Sequence, residues 1–505
     1  MSKNMRTQYK VAGFVAVVLL IRALASAQEM APFFAPGKLR ALIFSGRNNH
    51  DWRTTTPFLK QLLLRSGRFD VRVEEEPTGI TGPTLAPYDV LVLDYNGPRW
   101  GEATEKAVEE FVRSGKGLVA VHGASYAFTG MEVLGDGHKP TGIKQPAWPD
   151  YLKMIGGYWV EGPPKTGHAP LHSFQVKITD RQHPITQGMK ESLLATDELY
   201  HNHRMQPEAH VLATAFDDPK NGGTGKNEPI LWTVNYGHGR VFYTALGHDL
   251  AAMRESGFMD TFVRGAEWAA AGKVTLPPDI ASRPATAGAL RLLVVTGGHD
   301  YPTSFYALFE GVEDFQWRHA TSNHEAFTSS FRNKYDVLVL YDMPTEIGEA
   351  EKKNLVDFLE SGKGMVVLHH AIAEYPAWDW WSREVVGGKY LVKPEGDKPG
   401  STYLHDQELF VEPVGKHPIL VGIGRMHLWD ETYKGMWILP KVTVLLRTDN
   451  PTSDGPVAWI SPYDKSRVVY IQLGHDQMAH LHPAYQILVR NAIRWAAGKL
   501  GEGGK

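Results

Sequence analysis

The sequence predicts an α/β protein of two tandem domains, each a mostly parallel sheet with helices on both faces. Three observations carry this. Short apolar, β-branched runs alternate with helical segments along most of the chain. The run Gly117-Leu118-Val119-Ala120-Val121-His122-Gly123-Ala124 returns as Gly364-Met365-Val366-Val367-Leu368-His369-His370-Ala371. In both copies, polar residues cluster where the strands end, the edge at which α/β sheets bind ligands.

Composition sets the frame. A length of 505 residues exceeds what one hydrophobic core serves and implies at least two domains. A formal charge of −3 without basic runs gives no footprint for nucleic acid or an anionic membrane. Cysteine is absent, which excludes thiol nucleophiles, disulfides and iron–sulfur clusters, while 22 histidines supply groups that titrate near neutrality and bind metals.

The chain opens with Lys3, Arg6 and Lys10, an apolar run from Val11 to Ile21, and the small residues Ala25-Ser26-Ala27. This reads as an export signal over residues 1–27, cleaved after Ala27. The apolar run is short and is followed by Arg22, a poor spanning helix. The mature chain is therefore expected in the periplasm or outside the cell, without stable membrane insertion.

The first copy spans 38–272 and the second 289–499. Leu39 to Gly46 is echoed by Leu290 to Gly297, each leading to a His-Asp pair, His50-Asp51 and His299-Asp300. Tyr88 to Leu93 recurs as Tyr335 to Leu340. Ser114-Gly115-Lys116-Gly117 recurs as Ser361-Gly362-Lys363-Gly364, a helix end running into the repeated strand. Leu171-His172 pairs with Leu404-His405, and His183-Pro184-Ile185 with His417-Pro418-Ile419. Asp197-Glu198-Leu199-Tyr200 pairs with Asp430-Glu431-Thr432-Tyr433, and Gly247-His248-Asp249 with Gly474-His475-Asp476. Matches in this order indicate tandem duplication. Lys273 to Gly288, rich in proline, alanine and threonine, reads as a linker or a strap over the surface. His138 to Leu171 and Trp378 to Leu404 lack clear periodicity and read as long loops over the sheet edge.

If the sheets are parallel, His50, His122 and His248 converge on one rim. A lone histidine after a strand is usually a satisfied turn residue, but three per copy at matching places favour a site. Of the adjacent carboxylates Asp197 and Glu198, extended backbone sends one into the site and leaves the other to a turn. A carboxylate on imidazole fixes its tautomer and raises its basicity, a task open to Asp249 or Asp197. His122, His248, Asp249 and Asp197, with His369, His475 and Asp476 in the second copy, are the expected proton-exchanging set. His50, Glu198, Tyr200 and His172, with His299, Asp430, Glu431, Tyr433 and His405, are expected to hold substrate. His201 and His203 share a strand face and with His122 form an alternative divalent-metal set; no cofactor is otherwise expected. Phosphate-binding and dinucleotide glycine motifs are missing, and no serine sits in a nucleophile elbow.

Ser45-Gly46 with His50-Asp51-Trp52, His122-Gly123-Ala124, Gly156-Gly157, His183-Pro184-Ile185, Asp197-Glu198-Leu199-Tyr200 and Gly247-His248-Asp249 together make the chain resemble the ThuA-like (trehalose utilisation) family of the class I glutamine amidotransferase-like superfamily. The second copy shows the set as Gly297-Gly298-His299-Asp300, His369-His370-Ala371, Gly387-Gly388, His417-Pro418-Ile419, Asp430-Glu431-Thr432-Tyr433 and Gly474-His475-Asp476. The resemblance implies flavodoxin-like sheets and a role in handling sugars, including trehalose and oxidised glycosides. His122 and His369 look like replacements for the amidotransferase cysteine, and His248 and His475 resemble its triad histidine. Glutamine hydrolysis through a thioester is excluded by composition. In the second copy His370 stands where the first has Gly123, a departure from the pattern.

The expected function is acid–base chemistry on a glycoside or keto-sugar: isomerisation, elimination or hydrolysis. The alternatives are a non-catalytic sugar-binding protein and a metal-dependent glycoside hydrolase or lyase. The partner in each case is a small sugar or glycoside, not nucleic acid.

Overall fold

The computed structural model of the chain describes residues 34–280 and 288–500. The expected export signal lies outside the described residues, as do residues 281–287 of the expected linker. Among the described residues, no helix is long and apolar enough to cross a membrane.

The first sheet contains β1 (Leu39–Phe44), β2 (Phe69–Glu74), β3 (Val90–Leu93), β4 (Gly117–Val121), β5 (His172–Ile178), β6 (Ser192–Asp197), β7 (His210–Phe216), β8 (Asn227–Tyr236) and β9 (Gly239–Thr244). Their order across the sheet is β6-β5-β7-β8-β9-β4-β3-β1-β2. The pairings from β2 to β9 are parallel, and those from β9 outward to β6 are antiparallel. Only β8 and β5 therefore run against the rest.

The second sheet contains β10 (Leu290–Gly297), β11 (Phe315–Ala320), β12 (Val337–Asp342), β13 (Gly364–Leu368), β14 (Thr402–Pro413), β15 (Met426–Lys434), β16 (Thr443–Thr448), β17 (Pro456–Ile460) and β18 (Val468–Ile471). Its order, β15-β14-β16-β17-β18-β13-β12-β10-β11, is that of the first sheet strand for strand. The duplication read from the sequence is thus a duplication of topology.

The central strands are buried on both sides. Every residue of β3 and β4 is inaccessible, as a continuous Val/Leu/Ala run between helical layers requires. Helix α1 (Trp52–Arg65) follows β1 and α2 (Glu102–Arg113) follows β3. Ala107, Val108, Phe111 and Val112 give α2 one apolar face, and all four are buried. Helix α3 (Ser256–Ala271) lies so close to β4 that a Cβ on Gly117 would stand 2.5 Å from the Ala269 carbonyl carbon. Helix α5 (Pro483–Ala496), which comes after α4 (Glu349–Glu360), crowds Gly364 in the same way, with Ala496 O at 2.2 Å. Glycine opens each central strand because helix backbone occupies the side-chain position.

One expectation changes here, and another is narrowed. The stretch read as a loop from His138 to Leu171 carries strand pairing at its start, Glu132–Gly135 against Lys139–Lys144, and a helix at Pro149–Ile155. Of the expected linker, Thr275 and Leu276 are tied to α3, their N–H groups bonding to Glu267 and the Leu276 carbonyl accepting from Arg264. That part follows the strap reading, lying on the first domain. The domains touch through Lys60–Glu310 at 2.5 Å, Gln61 donating to Trp317 O at 3.1 Å, and an Arg254–Glu325 ion pair.

Candidate functional site

The site of the first domain lies where β1, β4, β6 and β9 end. Past Val121 the chain turns sharply, and His122 takes a φ of 46°, a left-handed conformation costly to a residue with a Cβ. Tyr243 of β9 holds this turn by donating to the His122 carbonyl at 2.6 Å. His369 repeats the feature with a φ of 50° and Tyr470 as the donor at 3.1 Å.

Each histidine is oriented from behind. His122 Nδ1 faces the Ala245 carbonyl at 2.7 Å, so Nδ1 carries the proton and Nε2 offers a lone pair. Tyr200 Oη stands 2.7 Å from that Nε2, with its ring over the imidazole at a centroid separation of 4.2 Å. His50 Nδ1 donates to Asn48 Oδ1 at 3.0 Å, and Asn48 in turn donates to Asp94, which Thr55 and Thr56 fix at 2.7 Å. His50 Nε2 is left buried without a partner.

The adjacent carboxylates separate by function. Asp197 accepts the N–H groups of Glu198 (2.8 Å), Gly247 (2.7 Å) and His248 (3.2 Å), tying the end of β6 to the turn after β9. It positions its neighbours through these backbone contacts. Glu198 is the hub. Its oxygens lie 3.7 Å from His122 Nε2, 3.2 Å from His248 Nδ1 and 3.3 Å from His168 Nδ1. The His50 ring centroid stands 4.7 Å from that of His122 and 4.9 Å from that of His248, so the three imidazoles do meet.

The electrostatics follow from crowding. Burial, then the neighbouring imidazoles, push His50 well below its ordinary pKa. Burial works to raise Glu198, but the adjacent His122 and His248 imidazoles overcome it and favour the ionised carboxylate. Burial likewise works to lower His248, and Glu198 overcomes it, favouring the imidazolium.

Other expected residues fall elsewhere. Asp249 does not orient a histidine; it caps the helix Leu250–Met253 by accepting from Ala252 N at 2.8 Å, and Asp476 accepts from Met478 N in the same role. His172 pairs in register with Asp197 and bonds to Pro170 O, outside the cluster. The alternative metal set also comes apart. Asn202 takes a φ of 56°, which breaks the alternation between its neighbours. His201 therefore turns to Asp217 at 2.8 Å and His203 to Ser125 at 3.1 Å. The sequence reading left out His138, whose ring lies 4.9 Å from His50, and did not commit to His168. Their one signal was the richness of that stretch in histidine.

The second domain keeps part of the arrangement. Glu431 lies 3.1 Å from both His369 Nε2 and His405 Nδ1, and Tyr433 Oη is 3.1 Å from His369 Nε2. His475 Nδ1 is 3.3 Å from the same nitrogen, and Asp430 accepts the N–H groups of Gly474 and His475. By position on the carboxylate, His405 corresponds to His168 and not to His172; strand register sets Gln407 opposite Asp430. His299 stays outside, bonded to Asp300 O and stacked on His370 at 4.3 Å.

One ligating atom each from His50, His122, Glu198 and His248 lie within 4.8 Å of one another, and so do those of His369, Glu431 and His475. Three imidazoles and one carboxylate, as in the first set, suit a divalent ion.

The sequence pattern of the family described as ThuA, trehalose utilisation, matches residues 40–269 and again 291–496. A ThuA-like protein from Parabacteroides merdae shares 32% identity over 47% of this chain and 92% of its own, with a TM-score of 0.40. One from Bacteroides uniformis shares 20% identity over 50% of this chain and 100% of its own, with a TM-score of 0.36. No curated protein matches the chain.

Proposed function

The chain belongs to the ThuA, trehalose-utilisation family, and from that premise we propose that it is an exported enzyme acting on a glycoside or keto-sugar at the first domain's histidine cluster. The observation that carries this is the convergence of His50, His122 and His248 on Glu198, with the Tyr200 hydroxyl 2.7 Å from His122. Held ionised, Glu198 serves as an electrostatic partner and not as an acid. Proton exchange falls to Tyr200, His122 and His248, whose polar groups converge from different strand ends. This suits removal of a proton beside a sugar carbonyl, followed by its return (isomerisation) or by loss of the neighbouring oxygen (elimination).

For the second domain the reading is binding without turnover. His299, the counterpart of His50, stacks on His370 outside its cluster.

The test incubates the protein in deuterium oxide with disaccharides and their 3-keto forms, followed by chromatography and mass spectrometry. A new product or deuterium uptake, abolished by His122→Ala, is expected. Full turnover by that variant, or tight sugar binding without any product, overturns the catalytic reading.

A further inference from the structure

We propose that His50, His122, His248 and Glu198 form a divalent transition-metal centre in the first domain, and that the second domain has lost its counterpart. The proposal deepens the reading of the same pocket as a sugar site and rests on it for the substrate alone. The ion would be a Lewis acid for a sugar oxygen.

The first support is an unanswered donor. The His50 ring is 92% buried, its Nδ1 is committed to Asn48, and its Nε2 lone pair points into the cluster with no partner. His248 Nδ1 is also buried and lacks a hydrogen bond: it lies 3.2 Å from Glu198 but off the line such a bond requires. Two orphan imidazole nitrogens beside one carboxylate are costly in a protein interior. A cation among them answers both.

The second support is the shell behind the ligands. Metal-bound imidazoles characteristically donate their other N–H to an oxygen, which fixes the tautomer and presents the lone pair. His50 does so to Asn48 and His122 to the Ala245 carbonyl. Asp197 holds the backbone of both Glu198 and His248. Around a tetrahedral ion with bonds of the usual length, ligand atoms stand roughly 3.4 Å apart. The separations of 3.2 and 3.7 Å to Glu198 bracket that value, and the 4.8 Å span of the set asks only for side-chain contraction. Three nitrogens and one oxygen suit zinc, iron, manganese or cobalt, not calcium or magnesium.

The third support is the contrast within the chain. A Cβ on Gly123 would stand 3.0 Å from His50 Cε1, so the glycine is what admits His50. His370 fills that position in the second domain, and His299 is outside. The remaining His369, Glu431 and His475 close on one another at 3.1 and 3.3 Å, leaving His369 no open lone pair.

The full chain, produced in metal-depleted medium, would be titrated with zinc(II) by calorimetry and with cobalt(II) by visible spectroscopy, without sugar. One equivalent per chain and tetrahedral cobalt bands are expected. His50→Ala and the closer mimic His50→Gln should each weaken binding by more than about 100-fold, beyond the usual cost of losing a supporting group. Asn48→Ala, which keeps every ligand, should weaken it about 10- to 100-fold. His210→Ala, a surface histidine paired with Asp180, should change nothing. Absence of saturable binding by the folded chain overturns the proposal, as does binding indifferent to both His50 variants. Turnover of sugar that survives complete metal removal also overturns it while sparing the functional reading. Stoichiometric metal without any sugar conversion does the reverse.

Discussion

The His370 ring stacks on His299 with centroids 4.3 Å apart, and in the first domain the place of His370 belongs to Gly123, against which His50 packs. One side chain thus separates a pocket that holds its third imidazole from one that does not. Gly123→His should impose the second domain's arrangement on the first. An added Cβ there already meets Asn96 Nδ2 at 2.8 Å as well as His50, so the larger ring must expel His50. Overpacking of this kind costs about 1–3 kcal/mol. Loss of turnover, with a lowered melting temperature in a folded protein, is the expected outcome. Unchanged turnover would show that His50 contributes nothing.

Tyr200 and His122 make the second test. Tyr200→Phe removes a hydroxyl 2.7 Å from Nε2 and leaves the ring stacking intact. If this hydroxyl carries a proton to or from the sugar, turnover falls by about 100- to 10,000-fold, the usual range for general acid–base groups. Sugar affinity should change far less. Tyr433→Phe makes the equivalent change at His369 and should leave turnover alone, because the second domain is read as binding without turnover. Steady-state kinetics on the two variants separates these outcomes.

Much of this could be read from the sequence, and the misses have physical reasons. Repetition placed β4 and β13, and their opening glycines proved to be where helix backbone crosses the strand. Convergence of His50, His122 and His248 followed from parallel strands ending on one rim. Asp249 was assigned to an imidazole, although an aspartate ahead of a helix is a common cap, which is its role. Other features depend on contacts between distant residues. His201 and His203 part because Asn202 is left-handed, and nothing local forces that. The exchange of His172 for His168 reflects register between β5 and β6, which alignment of Leu171-His172 with Leu404-His405 obscured. That His370 excludes His299 is a matter of volume, visible only once both side chains occupy space.

His319 contributes to the acid side of stability. It is buried at the end of β11, its Nε2 is 2.7 Å from Thr296 Oγ1, and burial pushes its pKa down to about 3, with the Arg254 charge adding to the effect. The unfolded chain takes up this proton near pH 6.5 while the folded chain refuses it. The unfolded state therefore binds more protons between about pH 6.5 and 3, and stability falls as pH falls through that window. His319→Gln keeps a hydrogen-bonding group without the titration. Melting temperatures against pH should show a shallower acid slope for the variant, and parallel slopes would refute the assignment.

Asp342 and Glu374 act in the opposite direction. Both carboxyls are buried in the second domain, where Asp342 has no hydrogen-bond donor on either oxygen and Trp381 donates to Glu374 at 3.1 Å. Burial, then the facing carboxyl, pushes Glu374 well up; Asp342 is raised chiefly by burial. Here the folded chain holds a proton that the unfolded chain releases near pH 4. The pair is thus most stabilising when protonated, and its contribution is lost as pH rises from the ordinary carboxylate range toward the raised value. Asp342→Asn mimics the protonated partner and leaves a single carboxyl beside an amide donor. The variant should gain stability relative to the parent as pH rises, with the gap growing from about pH 4 upward. If the two stability curves instead stay parallel across that range, the carboxyls do not share a proton.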